Sequence, residues 1–384
     1  MTITTARERP ESAWKVFRGQ FPIFGRQHFM DSAYYNPVAE PVRQAVNAVL
    51  LDMQAGRAPS GWKAILATAR GRAANVIGAT PGNVALVKNT SEAMNAVANA
   101  LQLQSGHNVV VAGNDHPITM LPWRNLERRG VEVRTVDRSA GLVRIGAFSE
   151  AIDHGTRAVV VSSVQYDTGQ RVNVRGLADL THRVGGYLIL DAIQEVGAAK
   201  VDVRDIGVDA LACGGHKWVL GIHGAGFLFC SDRLLDEAHP AYVAREGMVP
   251  EANPSEVALL SDARRFEIGN ANYAGFAGLS AGIDLLLGMR LEVVEKRILE
   301  LGSALLDELA RLGITPLTPR RTGERLGIVA FRDSDPQRIV QACEDAGVRV
   351  ALRRGAVRVS LHAYNTEDDI EALMTVLRTM RGRS

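Results

Sequence analysis

Between about residue 70 and residue 230 the chain alternates short apolar runs with stretches of helical apolar spacing, and few folds accept that pattern. The runs cover 108–113, 131–136, 158–164, 187–191, 210–213 and 227–230. Each is β-branched or flanked by glycine, and none is longer than a buried strand. Residues 91–103, 119–129 and 177–184, lying between runs, carry apolar residues at helical spacing. Strand and helix in turn predict an α/β fold whose large domain is a mostly parallel sheet sandwiched by helices. In such sheets ligands sit at the carboxyl ends of the strands.

From about Gly275 the pattern changes. Long helical stretches cover 276–287 and 291–312, short strands are expected around 326–332, 348–351 and 356–360, and a helix over 367–380 closes the chain. This reads as a smaller C-terminal α+β domain, preceded by a surface loop at 247–254 that holds two prolines. The expected division is an N-terminal arm at 1–29, a large domain at 30–262 and a small domain at 263–384. A chain of 384 residues, 46% hydrophobic, can bury cores for two or three such units.

Charge and cysteine content remove several classes of function. Lys plus Arg number 44 and Asp plus Glu 42, without a basic stripe, so nucleic acid is not an expected partner. No window of about 18 apolar residues suggests a membrane span, and the first ten residues lack the apolar run of a secretory signal. Cytoplasm is the expected location. Cys213, Cys230 and Cys343 form neither a disulfide framework nor a metal-binding spacing, so no metal is expected.

The most informative segment is Asp209-Ala-Leu-Ala-Cys-Gly-Gly-His-Lys-Trp-Val-Leu-Gly221, an apolar strand running into glycines and then into Lys217. A lysine there is either a surface turn residue or an amine whose pKa falls by desolvation, which makes it a nucleophile toward carbonyls. Asp191 closes another apolar run, either as a cap or as a partner for a buried cation. A desolvated lysine together with a strand-end aspartate meets the needs of a pyridoxal 5′-phosphate site. The lysine forms a Schiff base, and the aspartate keeps the pyridine nitrogen protonated.

At this point the sequence resembles a known family, the fold-type I pyridoxal-phosphate enzymes of the class V aminotransferase and cysteine desulfurase superfamily. The resemblance runs from Met30-Asp-Ser-Ala-Tyr-Tyr-Asn-Pro37 to Arg358-Val-Ser-Leu-His-Ala-Tyr-Asn-Thr366, with its motifs in order. It implies that Lys217 carries the cofactor and that its neighbour His216 contacts the phosphate. In Asp191-Ala-Ile-Gln194, the aspartate would meet the pyridine nitrogen and Gln194 the ring hydroxyl. In Asn89-Thr-Ser-Glu-Ala-Met-Asn95, Thr90 and Ser91 would hold the phosphate at a helix N-terminus, although either could simply cap that helix. His116 would stack on the ring, the alternative being a turn residue before Pro117. Arg358 would grip the substrate carboxylate, for which a planar, always-charged fork is suited, and Asn36 would also face the substrate.

Four departures from the family pattern shape the expected reaction. Gly214 stands where many desulfurases have a phosphate-binding serine or threonine. Asn270 replaces the threonine that reaches the phosphate of the neighbouring subunit, and an amide can donate the same bond. Tyr166 stands where an asparagine usually lies near the ring. Residues 347–358 also lack the cysteine that carries sulfur as a persulfide, and Cys343 falls in a helical stretch where a buried thiol is expected. The resemblance implies a homodimer with shared active sites that acts on a small-molecule substrate, an amino acid with a free α-carboxylate. The first choice is a C–S lyase performing β-elimination on a cysteine derivative. The alternatives are an isopenicillin N epimerase-like epimerase, a class V aminotransferase, or a degenerate member without catalysis.

Overall fold

The computed structural model describes residues 11–57, 61–138, 141–249 and 256–382. In chain order its strands are β1 His28–Phe29, β2 Val84–Val87, β3 Asn108–Ala112, β4 Glu132–Val136, β5 Thr156–Ser162, β6 Tyr187–Asp191, β7 Ala210–Gly214 and β8 Gly226–Cys230. After two long helices come β9 Ile328–Phe331, β10 Val348–Arg349, β11 Ala351–Arg353 and β12 Ala356–Ser360. Strands β2 to β8 form one sheet in the order β2-β8-β7-β6-β5-β3-β4. All of them run the same way except β8, which is antiparallel to β2 and β7.

All six apolar runs form strands of this sheet, and their composition explains why. In β3, β6, β7 and β8 every residue is buried. Successive side chains go to opposite faces. Val110, Val159, Leu188, Leu190 and Leu211 join the core on one face, while Val109, Val111, Val160, Ile189 and Ala212 join the core on the other. Helices cover both faces, so an uninterrupted aliphatic run is favourable at each position, at about 1.5–3 kcal/mol for a fully buried large side chain. Strand β2 is absent from the sequence reading. Its four residues, Val84-Ala-Leu-Val87, pair with β8 over their whole length, and that pairing makes so short a run a strand.

The C-terminal part contains an antiparallel sheet in the order β11-β12-β9, while β1 pairs in parallel with β10. Leu301, Leu305, Val329, Phe331, Val357, Val359 and Leu373 fill a third core. The helix Tyr273–Met289 lies beyond the expected boundary at 262/263, yet its Phe276, Leu279, Ile283 and Leu286 enter a core of the large sheet. It packs on the helices Glu40–Gln54 and Trp62–Val76. At the N-terminal end, Arg18 forms a two-pronged pair with Asp369 (2.8 and 3.0 Å), tying the helix Glu11–Gly19 to the closing helix Glu367–Arg381. Of the loop expected at 247–254, residues 250–254 lie outside the described residues. Among the described residues, no helix is long and apolar enough to cross a membrane.

Candidate active site

The parallel strands all end on one side of the sheet, and their carboxyl ends frame a cavity of about 240 Å³. Lys217 lies in the turn after β7, Asp191 ends β6, Ser162 ends β5, His116 follows β3, and Thr90 follows β2. The cavity brings together Thr90, Ser91, His116, Tyr166, Asp191, Gln194, His216 and Lys217. These residues span more than a hundred positions of sequence, and the sheet order is what places them side by side.

Lys217 and Asp191 each feel the other's charge. Asp191 is buried, and one carboxylate oxygen accepts the Ile193 N–H at 3.0 Å. Burial raises its pKa, which that N–H and the Lys217 charge oppose. Lys217 is partly open to the cavity but deep enough that burial pulls its ammonium well below the usual lysine range, with Asp191 opposing. A fraction of the amine is thereby kept neutral near neutrality, as a nucleophile or base requires. Burial, Lys217 and His223 lower His216 to about 3, and burial followed by the Lys217 charge lowers His116. Both imidazoles are neutral at pH 7.

At the start of the helix Thr90–Ala100 the cap is Asn89, whose side chain accepts the Glu92 N–H at 2.9 Å. Capping therefore does not account for Thr90 or Ser91. The Thr90 hydroxyl is buried with no partner, at a helix N-terminus that lines the cavity. His116 stands edge-on to Tyr166, with ring centroids 5.4 Å apart. The amide of Gln194 already bridges two groups, donating to the Ala33 carbonyl (3.0 Å) and accepting from the Trp218 indole (2.8 Å), so only its second N–H and second lone pair remain.

Three of the expected residues lie elsewhere. Asn36 is buried beside the site, its side chain accepting from the Tyr364 hydroxyl (3.3 Å) and donating to the Pro37 carbonyl (2.9 Å). Arg358, in β12, is 2% exposed and pairs with Asp31 at 3.1 Å while donating to the Tyr166 carbonyl, and its Nε has no partner. Asn270 is exposed and lines a different cavity, with Lys88, Glu92 and Gly224.

The sequence reading missed Tyr34, Ile118, Ser162, Ile193 and His223, all of which line the cavity. It also missed Asp115, whose carboxylate accepts from the backbone N–H of His116 (2.7 Å) and from both the N–H and the hydroxyl of Ser162 (2.8 and 2.7 Å). This carboxylate joins the ends of β3 and β5 and so aims His116. Its signal in the sequence is an acidic residue shortly after an apolar run, where Asp191 is the acidic residue that ends one.

The aminotransferase class-V family model matches residues 57–373. The chain belongs to this family. It is 31% identical to a probable cysteine desulfurase of Methanothermobacter thermautotrophicus, over 95% of this chain and 97% of that protein. Its fold is that of an apo cysteine desulfurase from Thermococcus onnurineus NA1, with a TM-score of 0.89 at 23% identity over 98% of this chain and 99% of the other. The cystine C–S lyase C-DES, solved with its product cysteine persulfide, has a TM-score of 0.85 at 21% identity, over 93% of this chain and 98% of the other.

Pyridoxal 5′-phosphate is the cofactor of this class-V enzyme. The residues fit it. Thr90 offers a buried hydroxyl that nothing in the chain satisfies, at a helix start suited to a phosphate. At the opposite demand, Asp191 offers a buried carboxylate suited to a protonated pyridine nitrogen. The two histidines are neutral, as an aromatic neighbour of the ring and a phosphate donor can be.

Proposed function

We propose that this pyridoxal-phosphate enzyme is a C–S lyase, removing a sulfur substituent from the β-carbon of a cysteine derivative without a persulfide cysteine. The observation that carries the reading is the pairing of a desolvated Lys217 at the cavity with the burial of every thiol in the chain. Cys213 and Cys230 lie inside β7 and β8, and Cys343 lies inside the helix Pro336–Asp345. Burial pushes the Cys343 thiol up to about 12, and none of the three lines the cavity. A sulfur relay needs an accessible thiolate. Elimination does not.

When bound, pyridoxal phosphate supplies an electron sink for negative charge developing at the substrate α-carbon. The remaining tasks fall to the chain. Thr90, Ser91 and His216 would hold the phosphate, Asp191 would keep a proton on the pyridine nitrogen, and His116 would lie beside the ring. Arg358 orients the substrate carboxylate from behind the Tyr166 carbonyl, to which it donates. Lys217 Nζ takes the α-proton, the C–S bond breaks with its electron pair leaving on sulfur, and the Lys217 proton can neutralise the departing thiolate. Hydrolysis of the remaining fragment gives pyruvate and ammonia.

Two measurements test this. Borohydride reduction and peptide mapping should place a pyridoxyl group on Lys217, and its appearance on Lys88 or Lys200 would falsify the assignment. Incubation should yield pyruvate and ammonia together with hydrogen sulfide from cysteine, cysteine persulfide from cystine and a thiol from S-alkyl cysteines. A keto acid of the intact substrate would mark a transaminase instead, and an epimer would mark an epimerase.

A further inference from the structure

A second cleft, of about 980 Å³, adjoins the active-site cavity at one peptide, since Tyr166 lines the first and Asp167 the second. Four arginines line it, Arg138, Arg332, Arg353 and Arg354, against the single carboxylate of Asp167. That carboxylate is already taken, by a two-pronged pair with Arg138 (3.0 and 2.9 Å) and by Arg354 at 3.5 Å. Among the described residues, neither Arg332 nor Arg353 has an acidic partner within 4.0 Å. The cleft therefore carries an uncompensated positive charge.

Arg353 connects this charge to the site. Its guanidinium lies 5.0 Å from the ring centroid of Tyr34, and Tyr34 lines the active-site cavity. Beyond burial and nearer charges, Arg353 is one of the influences that hold both Lys217 and Arg358 below their usual ranges. Arg353 also stands at a tight turn. It pairs with Ala356 across β11 and β12, leaving Arg354 and Gly355 as a two-residue hairpin at φ +49° and +72°. That turn favours Asn-Gly, and a side chain as large as arginine at positive φ costs about 1 kcal/mol. The strained position is that of Arg354, whose guanidinium pairs with Asp167.

We propose that this cleft binds a second anionic group on the substrate, a carboxylate at the far end of the amino-acid side chain, with Arg353 and Arg332 as its direct contacts. The preferred substrates are then cysteine S-conjugates that end in an acid. This inference rests on the reading of the neighbouring cavity as the place where the amino acid meets the cofactor. The chemistry suits the location. Arg358, adjacent through the Tyr166 carbonyl, is suited to the α-carboxylate, and Arg353 lies five residues away on the paired strand. Two guanidiniums at separate points fix both ends of a diacid, and planar forks recognise carboxylates better than point charges do.

The test uses two ligands of equal length, S-carboxyethyl-L-cysteine and S-propyl-L-cysteine, titrated calorimetrically into the full chain carrying Lys217→Ala so that no turnover occurs. The acid-ended ligand should bind about tenfold more tightly, equivalent to about 1.4 kcal/mol. Adding Arg332→Ala and Arg353→Ala should bring the ratio close to one, and Arg353→Lys should retain part of it. A melting curve checks that each variant is folded. Equal affinities in the parent protein, or an unchanged ratio after both arginines are removed, overturn the proposal. Failure of the underlying cofactor reading is seen separately, as unmodified Lys217 after borohydride treatment, because the calorimetric ratio does not depend on that result.

Discussion

His362 sits in an aromatic stack between Trp218 and Tyr364, with ring centroids 5.6 and 4.7 Å away. Its Nε2–H donates to the Trp218 carbonyl (3.1 Å) and its Nδ1 accepts the Ala363 N–H (2.7 Å), so the partners select one neutral tautomer. Burial lowers its pKa from 6.5 to about 4. Because the folded value lies below the unfolded one, the unfolded chain takes up the proton first. The resulting stability is complete above pH 6.5 and is lost as pH falls toward 4, amounting to roughly 2 kcal/mol at pH 5. Urea unfolding at pH 7 and pH 5 should show that loss in the wild type, and His362→Gln should shrink it by about that amount. Cys343 gives a second prediction at this scale. Since its thiol is enclosed in the small core, Cys343→Ala should cost about 1 kcal/mol of stability and leave turnover within twofold. A fall of about a hundredfold, some 2.7 kcal/mol in the barrier, would identify it as the nucleophile. Single residues were legible where a polar group interrupts an apolar run, as at Asp191 and Lys217. Tyr34, His223 and the partners of Asn36 and Arg358 were not, because those partners lie far away in the chain: Asn36 accepts from Tyr364, and Arg358 pairs with Asp31.

Among the elements, the strands of the large sheet were readable because burial on both faces demands an unbroken aliphatic run. Strand β2 and the connecting loops were not, since pairing and tertiary contact decide them. The loop after β5 illustrates this. Gly169 has φ +72°, and a Cβ there would lie 2.2 Å from the Ile328 carbonyl oxygen at the start of β9. Its own carbonyl accepts the Leu326 N–H at 3.2 Å, and its N–H donates to the Gln165 carbonyl at 2.8 Å. The loop thus braces the strand that pairs with β12, and it carries Tyr166, whose carbonyl accepts from Arg358. Gly169→Ala must separate loop from strand. It should cost about 3 kcal/mol in urea unfolding and raise KM for the amino acid more than it lowers kcat, because Arg358 loses a fixed partner while Lys217 is untouched. A variant with wild-type stability would show that the loop does not brace the small sheet.

At the scale of the whole molecule, the question is whether one chain makes a complete site. Asn270 is exposed and lies in a cavity with Lys88 and Glu92, apart from the one that holds Lys217. An apolar-lined hollow of about 430 Å³ opens next to the start of the helix Thr90–Ala100, sharing Asn89 and Ser91 with the active-site cavity and lined also by Tyr242 and Ile268. These two side chains are 73% and 42% exposed, an arrangement that a second copy can cover. The proposal is a two-fold dimer in which Asn270 of each chain completes the phosphate end of the other chain's cavity. Sedimentation should give a dimer. Lys217→Ala and Asn270→Trp should each be inactive alone, the first for want of the amine and the second because a bulky ring fills the partner's site. In a mixed dimer, one site receives Lys217 from the Asn270→Trp chain and Asn270 from the Lys217→Ala chain. With random exchange, half the dimers are mixed and each has one intact site, so activity should return to about a quarter of the wild-type level. A tag pulldown first establishes that exchange has occurred. If it has and activity stays at the level of the separate variants, or if a monomer is yellow and active, each chain makes its site alone and Asn270 is only a turn residue after Gly269.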